Sequence, residues 1–413
     1  MQQQKAAPTL YSWLVVAACF AVMGTLGETF WSFGVFFKPL ENEFSWSRTV
    51  VSSSYTAFLL AYAVSVIAAG RLADRYNPRF ILLAASGTTG FGIAFCSQIQ
   101  SIGQLYFFLI IAGLGAGATW AVPITIVQRW FYGRQRAGLA LSIVLAGVGT
   151  GALVFAPLIN YLISRYGWRD AYLLVGISFF VIIFSAGLVV RRPPQEVPVA
   201  VPGEVIPSFT AAPGWPTAKA IFNPAYIGIV YAHVVVIIAF QIINVHLVPH
   251  ATDVGIAPAV AAAGLGLLGG FSVPGRILAG VFSEKLGWQK IMAASIFAMA
   301  LCVVLLIFLQ TALTLYIFVF LYGLFHGARV PAYLGMLSES FGLRSLGEII
   351  GIGTALAQVI ASFGPYIAGF IFDNTGSYSI AFLIVMALLL SGGLVSVMIR
   401  EPQTAPEEAL QAL

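Results

Sequence analysis

The chain has 413 residues, 60% of them hydrophobic and only 8% charged, with a mean hydropathy of +0.94. A soluble protein must cover its core with a polar coat, so this composition excludes a water-soluble globular enzyme or binding module. The formal charge of +5 calls for no nucleic-acid partner, because the basic residues are distributed by membrane topology.

Apolar runs fall at 11–37, 48–72, 80–98, 103–128, 138–164, 170–190, 222–249, 257–282, 290–309, 313–336, 346–371 and 378–399. Each is long enough to cross a hydrocarbon core of about 30 Å, which predicts an all-α membrane protein with twelve transmembrane helices. Continuous runs, not ten-residue alternating ones, exclude an outer-membrane barrel. The first run is too long for a signal peptide, contains Glu28 and lacks a small-residue cleavage site. Cys19, Cys96 and Cys302 lie dispersed inside spans, which argues against disulfides or a metal site.

Between the sixth and seventh runs, residues 191–220 hold seven of the 20 prolines and read as a cytoplasmic linker. The predicted organisation is a six-helix bundle over 1–190, this linker, a second six-helix bundle over 221–400 and a cytoplasmic tail over 401–413. With the N-terminus inside, fourteen of the 20 lysines and arginines fall on the cytoplasmic side. Lys38, Arg48, Arg165 and Arg169 fall outside, and Arg276 and Arg329 lie within spans. That bias predicts both termini in the cytoplasm and residence in the inner (plasma) membrane of the cell.

The halves repeat at an offset near 210 residues. GRLADRYN at 70–77 aligns with GVFSEKLG at 280–287, GATWAVP at 117–123 with FHGARVP at 325–331, and FYGR at 131–134 with FGLR at 341–344. Internal symmetry of this kind is typical of transporters whose substrate site lies near the midplane between repeats.

GRLADRYNPR resembles the cytoplasmic loop motif of the major facilitator superfamily, which implies the major facilitator fold. By that resemblance Gly70 permits close helix packing, while Asp74 and Arg75, with Glu284 in the degenerate copy, form a gating latch. GVFFKPLENEFSWSR at 34–48, QRWFYGRQRAGLALS at 128–142, YGWRDAY at 166–172, VHLVPHATDVG at 245–255 and GRILAG at 275–280 resemble monocarboxylate porters and their oxalate–formate-antiporter-like bacterial relatives. The family's eighth-helix arginine, which binds the substrate carboxylate, corresponds to Arg276, and a first-helix lysine that helps receive substrate corresponds to Lys38. Two departures stand out. Proton-linked animal relatives carry an Asp one turn before the arginine where this chain has Ser272. Oxalate transporters carry an eleventh-helix Lys where this chain has Ala357 beside Gln358.

The residues support the same site independently. A guanidinium meets a carboxylate bidentately and keeps its proton, which suits Arg276 for an organic anion; the competing reading is snorkelling to the nearby cytoplasmic end. Arg329 sits nearer the middle of the tenth span with His326 one turn before it, either lining the cavity or forming a structural pair. His326 could then carry a proton. Glu28 is either a proton-coupling acid or an arginine's structural partner. Lys38 is a substrate contact or an interfacial anchor. Trp120, Tyr55, Gln241 and Asn244 are expected to line the cavity or to glue helices, and His246 near the outer end of the seventh span is a further proton candidate.

No Walker loop, zincin motif or nucleophile elbow occurs. The expectation is therefore a non-enzymatic secondary transporter without cofactor or metal, working as a monomer in the lipid bilayer. Its cargo would be a small organic monocarboxylate such as lactate or pyruvate, moved with a proton. The alternative is exchange of organic anions, oxalate or formate among them, without protons; a drug exporter or a non-transporting anion sensor fits less well.

Overall fold

The computed structural model describes residues 9–31, 33–131, 136–192, 214–342 and 345–400, with the side chains of Glu28, Asp74, Arg75, Gln128, Ala137 and Glu284 outside the description. Its helices are α1 (Leu10–Trp31), α2 (Phe33–Phe44), α3 (Arg48–Arg75), α4 (Pro78–Phe95), α5 (Ile102–Trp130), α6 (Ala137–Tyr166), α7 (Trp168–Val189), α8 (Thr217–Ala220), α9 (Pro224–Asp253), α10 (Pro258–Leu286), α11 (Trp288–Ile307), α12 (Ala312–Phe341), α13 (Leu346–Ala361), α14 (Gly364–Thr375) and α15 (Ser379–Met398). Among the described residues, twelve helical segments are long and apolar enough to cross a membrane. The protein is multi-pass, and the spans fall where the apolar runs predict them.

Three local differences have physical causes. The eleventh span is two helices, α13 and α14, because Pro365 in the first turn of α14 has no backbone N–H to donate to the preceding turn. The first apolar run is served by α1 and α2, and α2 continues past it to Phe44, carrying Lys38, Glu41 and Glu43 beyond the apolar stretch. Most of the expected linker, residues 193–213, lies outside the described residues. Its end is ordered: Thr217–Ala220 makes a single helical turn, and the Trp215 N–H donates to the Phe341 carbonyl (2.9 Å).

Two spans, one in each half, begin alike. Asn77 caps α4 ahead of Pro78, and Asn223 caps α9 ahead of Pro224, each side chain accepting the N–H two residues on. The capping oxygen satisfies an orphan donor, and proline at the first helical position sacrifices none. Small residues then set how closely helices pack. A Cβ at Gly275 of α10 would collide with the Leu324 carbonyl of α12, and one at Gly327 of α12 with the Ser272 carbonyl of α10. Gly27 and Gly151 play the same part between α1 and α6. Gly275→Val is expected to lower the thermal midpoint of the detergent-purified protein strongly, since overpacking costs about 1–3 kcal/mol even when neighbours can shift, and a helix backbone cannot. Gly280→Val, where a Cβ meets open space, should leave the midpoint within a degree or two.

The halves meet where α6 lies against α10, α3 against α14 and α2 against α9. These contacts extend from the membrane interior to the end remote from the termini, the outer end under the charge bias. Gly149 abuts Gly269, the Thr56 hydroxyl donates to the Ser362 carbonyl (2.7 Å), and Gly369 abuts the Arg48 backbone. At the opposite end, Gly70 of the loop motif meets nothing within 4 Å of a Cβ position. The close packing expected at Gly70 is therefore not made in this conformation; the structure is shut at its outer end. The latch residues Asp74, Arg75 and Glu284 have side chains outside the described set.

Candidate substrate site and the gate above it

Arg276 and Arg329 stand on α10 and α12, the two helices that cross closely at Gly275 and Gly327. Arg276 reaches across the interface, and its Nη1 donates to the Leu145 carbonyl of α6 (3.3 Å). Arg329 points towards α9 and is only 4% exposed. Its Nη1 lies 3.1 Å from Nδ1 of His233. The Nε atoms of both arginines are buried without an acceptor. Among the described residues neither guanidinium pairs with a carboxylate; the ion pairs lie elsewhere. Each such charge in hydrocarbon costs at least about 2.5–3.5 kcal/mol on insertion scales, and two placed together repel. An anion beside them would offset that cost.

Its walls are aromatic. His326 is stacked on Phe240 (centroids 4.6 Å apart) and faces the edge of Trp31 (6.3 Å). Its Nδ1, like the hydroxyl of Tyr322, is buried without a partner among the described residues. His233 lies flat on Tyr333, centroids 3.8 Å apart and planes 7° from parallel. Gln241 and Asn244 are fully buried on α9 with unpartnered carbonyl oxygens. The Asn244 amide and the Tyr55 hydroxyl (2.9 Å) both donate to the Phe30 carbonyl of α1; the Asn244 bond ties the two halves together, while the Tyr55 bond lies within the first half. Trp120 is half-buried on α5, which packs within the first half against α1, α3 and α4. The Glu28 side chain lies outside the described residues.

Lys38 and His246 occupy a different place from the arginines. Lys38 Nζ sits 2.5 Å from Asp253 and 3.1 Å from Glu41. Arg48, at the start of α3, grips Asp253 with both terminal nitrogens (Nη1–Oδ2 2.6 Å, Nη2–Oδ1 2.9 Å) and Glu41 with Nε (2.9 Å). The guanidinium lies 3.7 Å above the Phe372 ring. Its Nη1 also donates to the Tyr378 hydroxyl (2.8 Å), which donates onward to Nδ1 of His246 (2.9 Å). His246 Nε2 faces the Pro365 carbonyl at 2.9 Å. A carbonyl only accepts, so Nε2 carries the ring proton and Nδ1 accepts. Burial pushes the Tyr378 phenol above its ordinary range, keeping it a neutral donor. Asp373 of α14 accepts from the backbone N–H groups of Arg48 (3.0 Å) and Thr49 (2.8 Å), capping α3 from the other half. This is a closed gate at the end remote from the termini, the outer end expected from the charge bias, with both ring nitrogens of His246 engaged within it.

His233 and the Arg48 gate escape a reading of the sequence that finds Arg276 and Arg329. A signal for His233 exists: His233, Gln241 and Asn244 follow helical spacing along one face of α9.

Twelve spans in two six-helix halves, with cationic side chains at their interface, define a membrane transporter of the facilitator type. The chain belongs to the Major Facilitator Superfamily, whose sequence model matches residues 14–314 and 232–412. It is similar to rat monocarboxylate transporter 13, with 24% identity over 385 residues, covering 92% of this chain and 87% of that protein. It is also similar to mouse monocarboxylate transporter 11, with 26% identity over 406 residues, covering 93% and 86%. In fold it matches a bacterial homologue of the human lysosomal transporter Spinster, solved in an inward-facing, occupied conformation. That match has a TM-score of 0.77 and 16% identity, covering 95% of this chain and 97% of that one.

Proposed function

We propose that this transporter moves small organic monocarboxylates of the lactate or pyruvate kind, together with a proton, across the plasma membrane by alternating access, acting as a monomer with both termini in the cytoplasm. One observation carries the reading: two arginines on adjacent membrane-spanning helices, Arg276 reaching the Leu145 carbonyl of the other half and Arg329 buried beside His233, have no carboxylate partner among the described residues. The carboxylate offsets their cost and the aromatic walls take the short carbon chain. The similarity to monocarboxylate transporters agrees with this cargo. Lys38, held by Asp253 and Glu41 in the closed gate, becomes free to meet incoming anions when the gate opens. Exchange of anions without protons is the second reading. It is favoured by Ser272, whose hydroxyl is spent on the Gly269 carbonyl (2.7 Å) where an acid would be expected.

The test is labelled L-lactate uptake into proteoliposomes, driven either by an inward proton gradient or by unlabelled lactate loaded inside at equal pH. Gradient-driven accumulation is the expected result. Uptake only against loaded anion would establish the exchanger, and no uptake under either condition would overturn the monocarboxylate assignment.

A further inference from the structure

We propose that His233 is the proton-binding group of this transporter, and that it accepts its proton only when Arg329 leaves it for the substrate carboxylate. The inference rests on the anion-site reading above and adds to it the identity and order of the coupling step.

The geometry fixes the resting protonation. Arg329 can only donate, so at 3.1 Å from its Nη1 the Nδ1 of His233 must be an accepting lone pair. The imidazole is therefore neutral, with its proton on Nε2. Tyr333 lies flat against the ring and fixes its plane. A second proton on His233 would put two cations side by side.

Among the described residues the surroundings supply no carboxylate to relieve that repulsion; the side chain of Glu28 on α1 lies outside the description. From α12 the ring faces Arg329 and Tyr333, with His326 a turn beyond; Arg276 of α10 reaches instead to the Leu145 carbonyl of α6. Helix α15 carries no ionisable acid or base along its length, and the single carboxylate of α13, Glu348, is exposed and holds the Thr217 hydroxyl. Of the charged residues of α2 and α14, Lys38, Glu41 and Asp373 are gathered in the outer gate, and Glu43 faces Arg169. On α9 itself, Tyr226 is committed to the Ile349 carbonyl, His246 to Pro365 and Tyr378, and His250 to the Leu306 carbonyl; Asp253 is held in the gate. Among the described residues, an anion must come from outside.

A bound carboxylate changes both terms. Arg329 has an unpartnered Nε and swings its donors towards the carboxylate, vacating the Nδ1 lone pair. Water then delivers one proton to Nδ1, and the new imidazolium is compensated by the anion. The empty site holds two arginine charges; the loaded site holds the same two, plus one proton and minus one carboxylate. Loaded and empty forms thus carry equal charge, so both cross the occluded state without an added electrostatic penalty. The order is anion first, proton second.

The experiment measures proton uptake on binding of L-lactate to the detergent-purified full chain, by titration calorimetry in two buffers of different ionisation enthalpy at pH 7. Wild type is expected to take up close to one proton per lactate. His233→Gln and His233→Asn keep an acceptor for Arg329 but cannot titrate, and at least one is expected to bind lactate within about tenfold of wild type with proton uptake near zero. That variant should also exchange lactate for lactate in proteoliposomes and lose accumulation driven by a proton gradient. Proton uptake that persists in these variants overturns the proposal, as does lactate binding by wild type without proton uptake. Loss of lactate binding in both variants makes His233 a structural support of Arg329 and also overturns it. If wild type binds no lactate, the anion reading has failed first, and the proposal falls with it.

Discussion

Arg276→Lys and Arg276→Gln are expected to abolish measurable lactate uptake while leaving the purified protein as heat-resistant as wild type, or more so. The two halves of this result have separate causes. Loss of one partner from a desolvated charge pair costs about 2–5 kcal/mol of binding, roughly a 30-fold or greater loss of affinity. Lysine does not rescue it, because a point charge cannot reproduce the fork that meets both carboxylate oxygens. Stability moves the other way. In the empty protein Arg276 makes one long hydrogen bond, to the Leu145 carbonyl, and its Nε is buried without an acceptor. Removing such a charge relieves desolvation and the repulsion from Arg329. Uptake and thermal midpoint, measured on the same preparation, check the pair of expectations. A structural arginine would lose both together; a retained uptake would remove Arg276 from the site. Arg329→Gln should behave alike in transport, with a smaller gain in stability because it also frees His233.

The spans were legible because a bilayer demands about 20 apolar residues in a row, a signal longer than any local accident of composition. Arg276 and Arg329 were legible for the converse reason, that a guanidinium inside such a run costs too much to be incidental. His233 was not, since a single imidazole in an apolar helix does not announce which helix will face it; only the fold brings α12 and Arg329 alongside. The outer gate was hidden differently. Arg48, Asp253 and Asp373 stand at the ends of spans, where charged residues are ordinary, and their meeting depends on three elements far apart in sequence. Lys38 and His246 were picked out by sequence for substrate and proton; the fold gives them partners in that gate. The interruption of the eleventh span was written in Pro365, yet hydropathy alone passes over it.

Replacing Arg48 with alanine is expected to open the outer side. Arg48 is 3% exposed and connects Glu41 of the first half to Asp253, Phe372 and Tyr378 of the second. Breaking a buried pair costs about 3–5 kcal/mol and an exposed one under about 1. The Asp253 and Glu41 side chains are 26% and 22% exposed, so water screens part of the interaction and about 2 kcal/mol is the fitting magnitude. That amount shifts the balance between closed and open outer ends roughly 30-fold. Asp373 opposes the change, because it still caps the N-terminus of α3 through backbone groups that alanine retains, so the double variant with Asp373→Asn should open further. A cysteine placed at Thr56, where α3 meets Ser362 of the other half, reports the opening through its labelling rate by a membrane-impermeant maleimide. The native Cys19, Cys96 and Cys302 are buried and contribute little background. Faster labelling in Arg48→Ala, with slower net uptake because the carrier lingers open to the outside, is the expected outcome. An unchanged labelling rate would mean that the remaining contacts, the Asp373 cap and the packing of α6 on α10 and α3 on α14, suffice to hold the outer end shut.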